Sequence, residues 1–285
     1  MLNGANLGGV KMALKLLRFF STCSFVVLVL PGFALADWDE ADELFERRSE
    51  GQEAIAEARA AYEAIAQNAT GTELIRAVSQ ISKLDLFEGE MTLPKSAKAE
   101  RMAIFKRCWE TSVPRIHPDQ VGETPNYYYW RGVCLGFWGE AAGPLRALPY
   151  VSLLLDLIEG GMEQDTRYEG GGIYRLAAGI YVDKQSQPLG LYDPDKALEM
   201  IELSLEQDAF PGDPNPGWMW YDNWRGKGLC LMELDRLEEA KDLLLEKREE
   251  IEILQEDEEL PFGREPETLW NYRLMQDHLD TIEES

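Results

Sequence analysis

From Asp37 to the C-terminus, apolar residues recur at intervals of three and four rather than two, the pattern of helices that each bury one face. Ile55, Ala58, Tyr62 and Ile65 keep that spacing, with Leu44 upstream, in a segment rich in Ala and Glu, both strong helix formers. Asn68-Ala-Thr-Gly closes it. Leu74, Val78, Ile81, Leu84 and Leu86 begin a second helix that Pro94 ends, and a third is predicted from about Lys95 to Trp109. The stretch VPRIHPDQVGETPN (113–126) holds three prolines and no periodicity, so it reads as a loop. No alternating strand pattern of any length is seen in the sequence. The predicted class is all-α.

Beyond Asn126 the chain repeats itself. YYYWRGVC (127–134) returns as YDNWRGKG (221–228), each with Tyr, two residues, then Trp-Arg-Gly. One frame runs through Trp224, Gly228, Leu231, Leu237, Ala240 and Leu244. It fits again at Trp130, Cys134, Phe137, Ala147, Val151 and Leu154, and at Tyr174, Ala178, Tyr181, Ala197, Ile201 and Ser204. Small residues let two helices approach and large ones fill the groove between pairs. This frame resembles the tetratricopeptide repeat. The resemblance implies a tetratricopeptide-like helical-hairpin solenoid of about ten helices. Residues 127–262 would be three degenerate repeats, preceded by a helical region at 37–112 and closed by a capping helix at 263–285. Pro266 opens that last helix, with Leu269, Tyr272, Met275, Leu279 and Ile282 on one face. Asp193 before Pro194 is a predicted N-cap, and EDEEL (256–260) a solvated helix end.

The first 36 residues differ from the rest. Lys11, Lys15 and Arg18 precede the apolar run FFSTCSFVVLVL and then PGFALA. That is the order of a secretory signal peptide, cleaved after Ala36, with Met12 an alternative start. A membrane span needs about 20 apolar residues, more than this run supplies. The predicted location is therefore exported, periplasmic or secreted, with no membrane insertion after cleavage. Cys23 does not sit at the cleavage point, so the lipoprotein arrangement is lacking. The chain after residue 36 keeps 25 of the 28 Lys and Arg and all 52 acids, a formal charge of −27. Such a surface repels nucleic-acid phosphates and anionic lipid. Cys108, Cys134 and Cys230 remain, an odd number whose spacing fits no metal motif. They read as small core residues, with a single bridge the alternative.

Candidate chemistry follows from the repeats. Arg131, Arg175 and Arg225 each follow the framework aromatic directly. Neighbours on a helix are about 100° apart, so the arginines face away from the packed aromatics. In tetratricopeptide proteins, the resembling position lines the concave groove and clamps carboxylates. Three guanidiniums along one groove repel unless an anion or protein carboxylates, with Asp222 and Glu140 the candidates, lie between them. RYEGGGIYRLAAGIY (167–181) puts Gly170, Gly171 and Gly172 before a helix carrying Tyr174. Either free amides there attract an anion or the glycines let two helices approach. FPGDPNPGWMWYDNW (210–224) offers Trp218 and Trp220 either to a ligand or as a staple, and Tyr128 completes the candidate groove residues. No nucleotide, serine-hydrolase or zinc motif occurs, and His117 and His278 read as structural. The sequence therefore points to no catalytic residues, no cofactor and no metal.

Tyr127 to about Glu250 also resembles the T-component proteins of TRAP transporters. The residues that carry this are the YYYW start, YEGGGIYRLAAGIY and DPDKALEMIELSLE. The resemblance implies a periplasm-facing helical protein that associates with a solute-binding protein and helps deliver small organic anions. The expected function is a non-catalytic scaffold that docks a protein partner, with an anionic groove ligand. The alternatives are an accessory of an organic-acid transporter that binds small carboxylates, and a hydrolase without a recognisable signature.

Overall fold

In the computed structural model, which describes residues 37–285 apart from 214, 262 and 263, Asp37 caps the first helix. Its carboxylate accepts the Glu40 N–H at 2.8 Å and opens α1 (Trp38–Glu46). The predicted signal peptide lies outside the described residues. Gly51, at φ 136°, breaks the chain before α2 (Gln52–Asn68). α3 (Gly71–Leu86) and α4 (Lys98–Arg107) follow, each prolonged by a wide turn, Phe87–Thr92 and Cys108–Ser112. The hairpins of the repeated region are α5 (Pro125–Ala142) with α6 (Val151–Gln164), α7 (Tyr168–Val182) with α8 (Pro194–Leu205), and α9 (Tyr221–Glu233) with α10 (Leu237–Glu256). α11 (Glu265–Glu284) ends the chain, with Pro266 in its first turn. No strand occurs among the described residues, and the chain is all-α. Asp193 caps α8 as predicted, accepting the Lys196 N–H at 3.1 Å with Pro194 behind it.

Two stretches differ from the sequence reading. Residues 113–126 are not simply a loop. Val113–Ile116 and Pro118–Val121 are short helical turns, and Pro125 starts α5. Each proline stands in a first turn, where its missing N–H is no loss; as breakers alone the three pointed to a loop. The second helix of the first hairpin also does not run on from Ala147. Pro149 divides 144–150 into two short turns before α6 begins at Val151.

Each helix packs on its successor, and from α3 onward alternate helices pack as well: α3 on α5, α5 on α7, α7 on α9, α9 on α11. The small framework residues make this possible. A Cβ at Gly228 would come 2.6 Å from Leu244 Cδ2, so only glycine lets α10 lie that close to α9. Ala178 and Ala197 are likewise fully enclosed with Ile201 and Cys230 between α7, α8 and α9.

Cys134 occupies the same small position on α5 but is bonded to Cys108, with Cα atoms 5.9 Å apart. The reading of the cysteines as small core residues therefore holds for Cys230 alone, whose buried thiol is pushed up to about 12 by desolvation. The bridge ties the turn after α4 to α5 and closes a loop of 26 residues. Loop-closure entropy for that length amounts to about 3.5 kcal/mol. Replacing both cysteines by serine is expected to lower stability by about that much, read from urea unfolding with and without reductant. A variant that unfolds at the wild-type urea midpoint under oxidising conditions would show that the bridge does not form.

The first and last parts of the chain also meet. Arg48, in the turn after α1 and only 1% exposed, donates from Nη2 to Glu267 Oε2 of α11 at 2.9 Å and from Nε to Oε1 at 3.2 Å. With the ends joined, the alternate helices α3, α5, α7, α9 and α11 face a shared interior.

Candidate functional site

That interior is a cavity of about 1320 Å³. Aliphatic and aromatic side chains make up much of its wall, among them Leu176, Ile180, Leu229 and Trp220. Its most built part lies where α7, α9 and α11 meet.

Glu169, Gly170 and Gly171 take left-handed backbone angles in succession, with φ of 52°, 56° and 78°. A glutamate there costs about 1 kcal/mol that a glycine does not. The turn is packed too tightly for side chains. A Cβ on Gly171 would stand 2.7 Å from the Ser204 backbone, and one on Gly170 would run into the Trp220 ring. The expectation of an amide cradle for an anion fails here, and the alternative of close approach holds, because the turn offers carbonyls. Glu169 O accepts from Arg175 Nη2 at 2.9 Å, and Gly170 O from Arg175 Nη1 at 3.3 Å and Asn223 Nδ2 at 3.1 Å. Ser204 Oγ lies 2.9 Å from Gly171 O and also from Asn223 Oδ1. Arg175 completes its set with Asn223 Oδ1 at 2.9 Å and Tyr129 Oη at 3.2 Å.

Trp220 is buried, donates its indole N–H to Asn215 O at 3.1 Å, and carries the Arg264 guanidinium 3.5 Å and the Arg175 guanidinium 4.6 Å from its ring centre. Arg264 pairs with Asp222 at 2.9 Å, and Asp222 also accepts from Asn271 Nδ2 at 2.6 Å. Burial alone would raise the Asp222 pKa, but Arg264, Arg175 and Arg225 outweigh it and hold it below the usual carboxylate range. Glu169 pairs with Lys83 of α3 at 2.9 Å. Arg225 donates from Nε to Asn271 Oδ1 at 2.7 Å, and burial lowers its pKa. Neither Arg175 nor Arg225 has a carboxylate within ion-pair distance among the described residues. Lys83, Arg175, Arg225 and Arg264 thus face Glu169 and Asp222, with Glu90 within electrostatic reach of Arg225 and Glu267 of Arg264.

The three arginines of the repeated frame therefore part company. Arg175 and Arg225 line the cavity; Arg131 does not, because it folds back onto Tyr127, bonding its hydroxyl and lying 5.4 Å from the ring centre. Of the two carboxylates expected between them, Asp222 is in place, whereas Glu140 pairs with Lys95 at 3.0 Å. Trp220 faces the cavity. Trp218 does not line it and is half exposed, its carbonyl accepting the Trp224 indole N–H at 2.7 Å. Tyr174 packs against the cluster of Ile158, Ile173 and Ala177. Tyr128 packs against Gly160 and Gly161, with its hydroxyl on Glu123 at 3.0 Å.

Arg264, Lys83 and Glu169 had no signal in the sequence, since none falls in the repeated frame. His278 lines the cavity within reach of Arg225, and its Nε2 is buried without a partner among the described residues. Burial first, then Arg225, lower its pKa from 6.5 to about 4. The unfolded chain binds this proton between those limits and the folded chain does not, so stability falls as pH drops from 6.5 towards 4. The expected loss is about 2 kcal/mol by pH 5, measured as a shift in urea midpoint that His278→Gln removes. An unchanged slope in that variant would place the acid sensitivity elsewhere.

No protein-family model matches the chain, and no curated protein matches it.

Proposed function

We propose that the chain is an exported, non-catalytic protein with a tetratricopeptide-like solenoid whose central cavity holds a small organic carboxylate. It would serve as an accessory of an organic-acid transporter and dock a solute-binding protein. The observation that carries this is the cavity of about 1320 Å³ onto which Arg175 and Arg225 face without a paired carboxylate. Buried cations are costly unless something neutralises them, and a carboxylate meets an arginine fork with two charge-assisted hydrogen bonds. Arg225 suits the role better than Arg175, because Arg175 is fully engaged in holding the glycine turn.

Purification of the exported protein followed by native mass measurement tests this. An extra mass of small-molecule size that is lost in Arg225→Ala is the expected result. A bare mass in the wild type, together with no carboxylate binding by calorimetry, would sink the reading.

A docking scaffold without a cavity ligand is the second reading. It is supported by Leu145, 87% exposed, with Leu148 and Trp218 also standing out from the surface. Leu145→Asp with Leu148→Asp would then abolish partner binding and leave any bound small molecule in place.

A further inference from the structure

Arg175 in the middle of α7 and Asp183 at its C-cap stand eight residues apart, and Arg225 and Glu233 stand eight apart on α9. At about 1.5 Å per residue the backbone of each acid lies roughly 12 Å beyond that of its arginine along the helix. All four line the cavity, as does Glu140 near the end of α5. The interior is therefore bipolar. One end gathers Arg175, Arg225 and Arg264 around Asp222, whereas Asp183 at the other lies within electrostatic reach of Glu140, Glu233 and Lys95.

Acids at helix C-termini oppose the helix dipole, so the helices that end near Glu140 and at Glu233 give no reason for them. Some have partners. Glu140 is answered by Lys95 at 3.0 Å and Arg101 at 3.6 Å, and Glu233 by Lys184 at 2.8 Å and the Tyr192 hydroxyl at 2.7 Å. Asp183 has no ion pair among the described residues; it accepts only the Gln185 N–H, at 2.8 Å, as the cap of the turn Lys184–Leu189. Burial, with the charges of Glu140 and Glu233, raises its pKa. Ser186 stands in the same turn. It is 6% exposed, lines the cavity, and its hydroxyl has no hydrogen-bond partner among the described residues. An unpaired carboxylate and an orphaned buried hydroxyl at one end of a cavity are acceptors waiting for a donor with several N–H groups, which an ammonium supplies. Trp138 and Tyr150 also line the cavity, their ring centres 5.2 Å apart, and aromatic rings attract cations.

We propose that the cavity takes a zwitterion whose opposite charges stand about 12 Å apart, a linear peptide of three to four residues with both termini free. Its carboxylate sits at Arg225 and Arg264, and its ammonium at Asp183 and Ser186. An extended chain advances about 3.3–3.6 Å per residue, so three to four residues cover the distance and a single amino acid does not. Leu176, Gly179 and Leu229 line the wall between the two ends and leave apolar space for small side chains. The inference rests on the carboxylate reading above and adds to it the second charge and the length.

Calorimetry on the exported protein with tetra-alanine, N-acetyl-tetra-alanine, tetra-alanine amide and alanine tests it. Tetra-alanine should bind, and blocking either terminus should weaken it at least tenfold, the effect of one hydrogen-bonded charge. Ser186→Ala and Asp183→Asn should each weaken tetra-alanine about tenfold without changing the affinity for the acetylated peptide. Neither should lower the melting temperature, because asparagine keeps the cap and the Ser186 hydroxyl bonds nothing among the described residues. Equal binding of acetylated and free peptide overturns the ammonium site while the carboxylate reading stands. Failure of both to bind overturns the inference outright, and the carboxylate reading is then judged separately by the native mass of the wild type against Arg225→Ala.

Discussion

Replacing Glu267 by alanine is expected to lower the unfolding free energy by about 4 kcal/mol, because it leaves the Arg48 guanidinium buried with its main counter-charge removed. Arg48 is enclosed by Phe45, 4.2 Å from its ring centre, and Phe87, 5.5 Å away. Its other acceptors include the Phe45 carbonyl at 3.1 Å, and Glu46 lies 3.7 Å away on the exposed side. None of these replaces a forked carboxylate. The pair joins residues 219 positions apart, so its loss also frees α11 from the turn after α1 and opens the cavity. The double variant Arg48→Met, Glu267→Leu should recover most of the stability, since an apolar pair of similar volume often substitutes for a buried ion pair. Urea unfolding of the two single variants and the double variant measures this as a thermodynamic cycle. A coupling under about 1 kcal/mol would mean that the ends are held by other contacts.

The second large effect is expected from Arg175→Met. Arg175 supplies four hydrogen bonds to the glycine turn, Asn223 and Tyr129, and its removal takes the guanidinium donor from the Glu169 and Gly170 carbonyls. Hydrogen bonds from a charged donor contribute about 1.5–3 kcal/mol each, with much overlap within one network. A net loss of about 4 kcal/mol follows. For a chain of this size that is a fall in melting temperature of roughly 8–16 °C. Arg175→Lys should recover little of it, because an ammonium cannot span carbonyls, amide and hydroxyl as the planar fork does. By contrast, Arg225→Ala should lower the melting temperature far less, since among the described residues Arg225 makes one hydrogen bond, from Nε to Asn271. If Arg175→Lys melted like the wild type, the fork would not be what holds the turn.

This contrast between two arginines at equivalent sequence positions shows where local reading stops. Both follow a framework aromatic and both face the cavity. One is consumed by carbonyls that a left-handed Glu-Gly-Gly turn presents to it; the other makes one hydrogen bond, from Nε, among the described residues. Nothing in the Trp-Arg-Gly or Tyr-Arg pattern separates them. The third, Arg131, is drawn back by Tyr127 one turn earlier on its own helix; Gly171 stands at that position before Arg175, and Tyr221, which stands there before Arg225, donates its hydroxyl to Glu250 at 2.7 Å instead.

The sequence by itself determined the all-α class, the caps at Asp193 and Pro266, and the positions where small residues let paired helices touch. These depend on neighbours within a few turns, through dihedral preference, capping and a repeat period, and so they are written locally. The tertiary structure alone decided that Cys108 meets Cys134, that Arg48 reaches Glu267, and that Lys83, Glu169, Asp222 and Arg264 converge from four separate segments on one wall. A helical period says which face of a helix is buried, but not which distant face it is buried against. The balance of charge inside a cavity depends on that second choice.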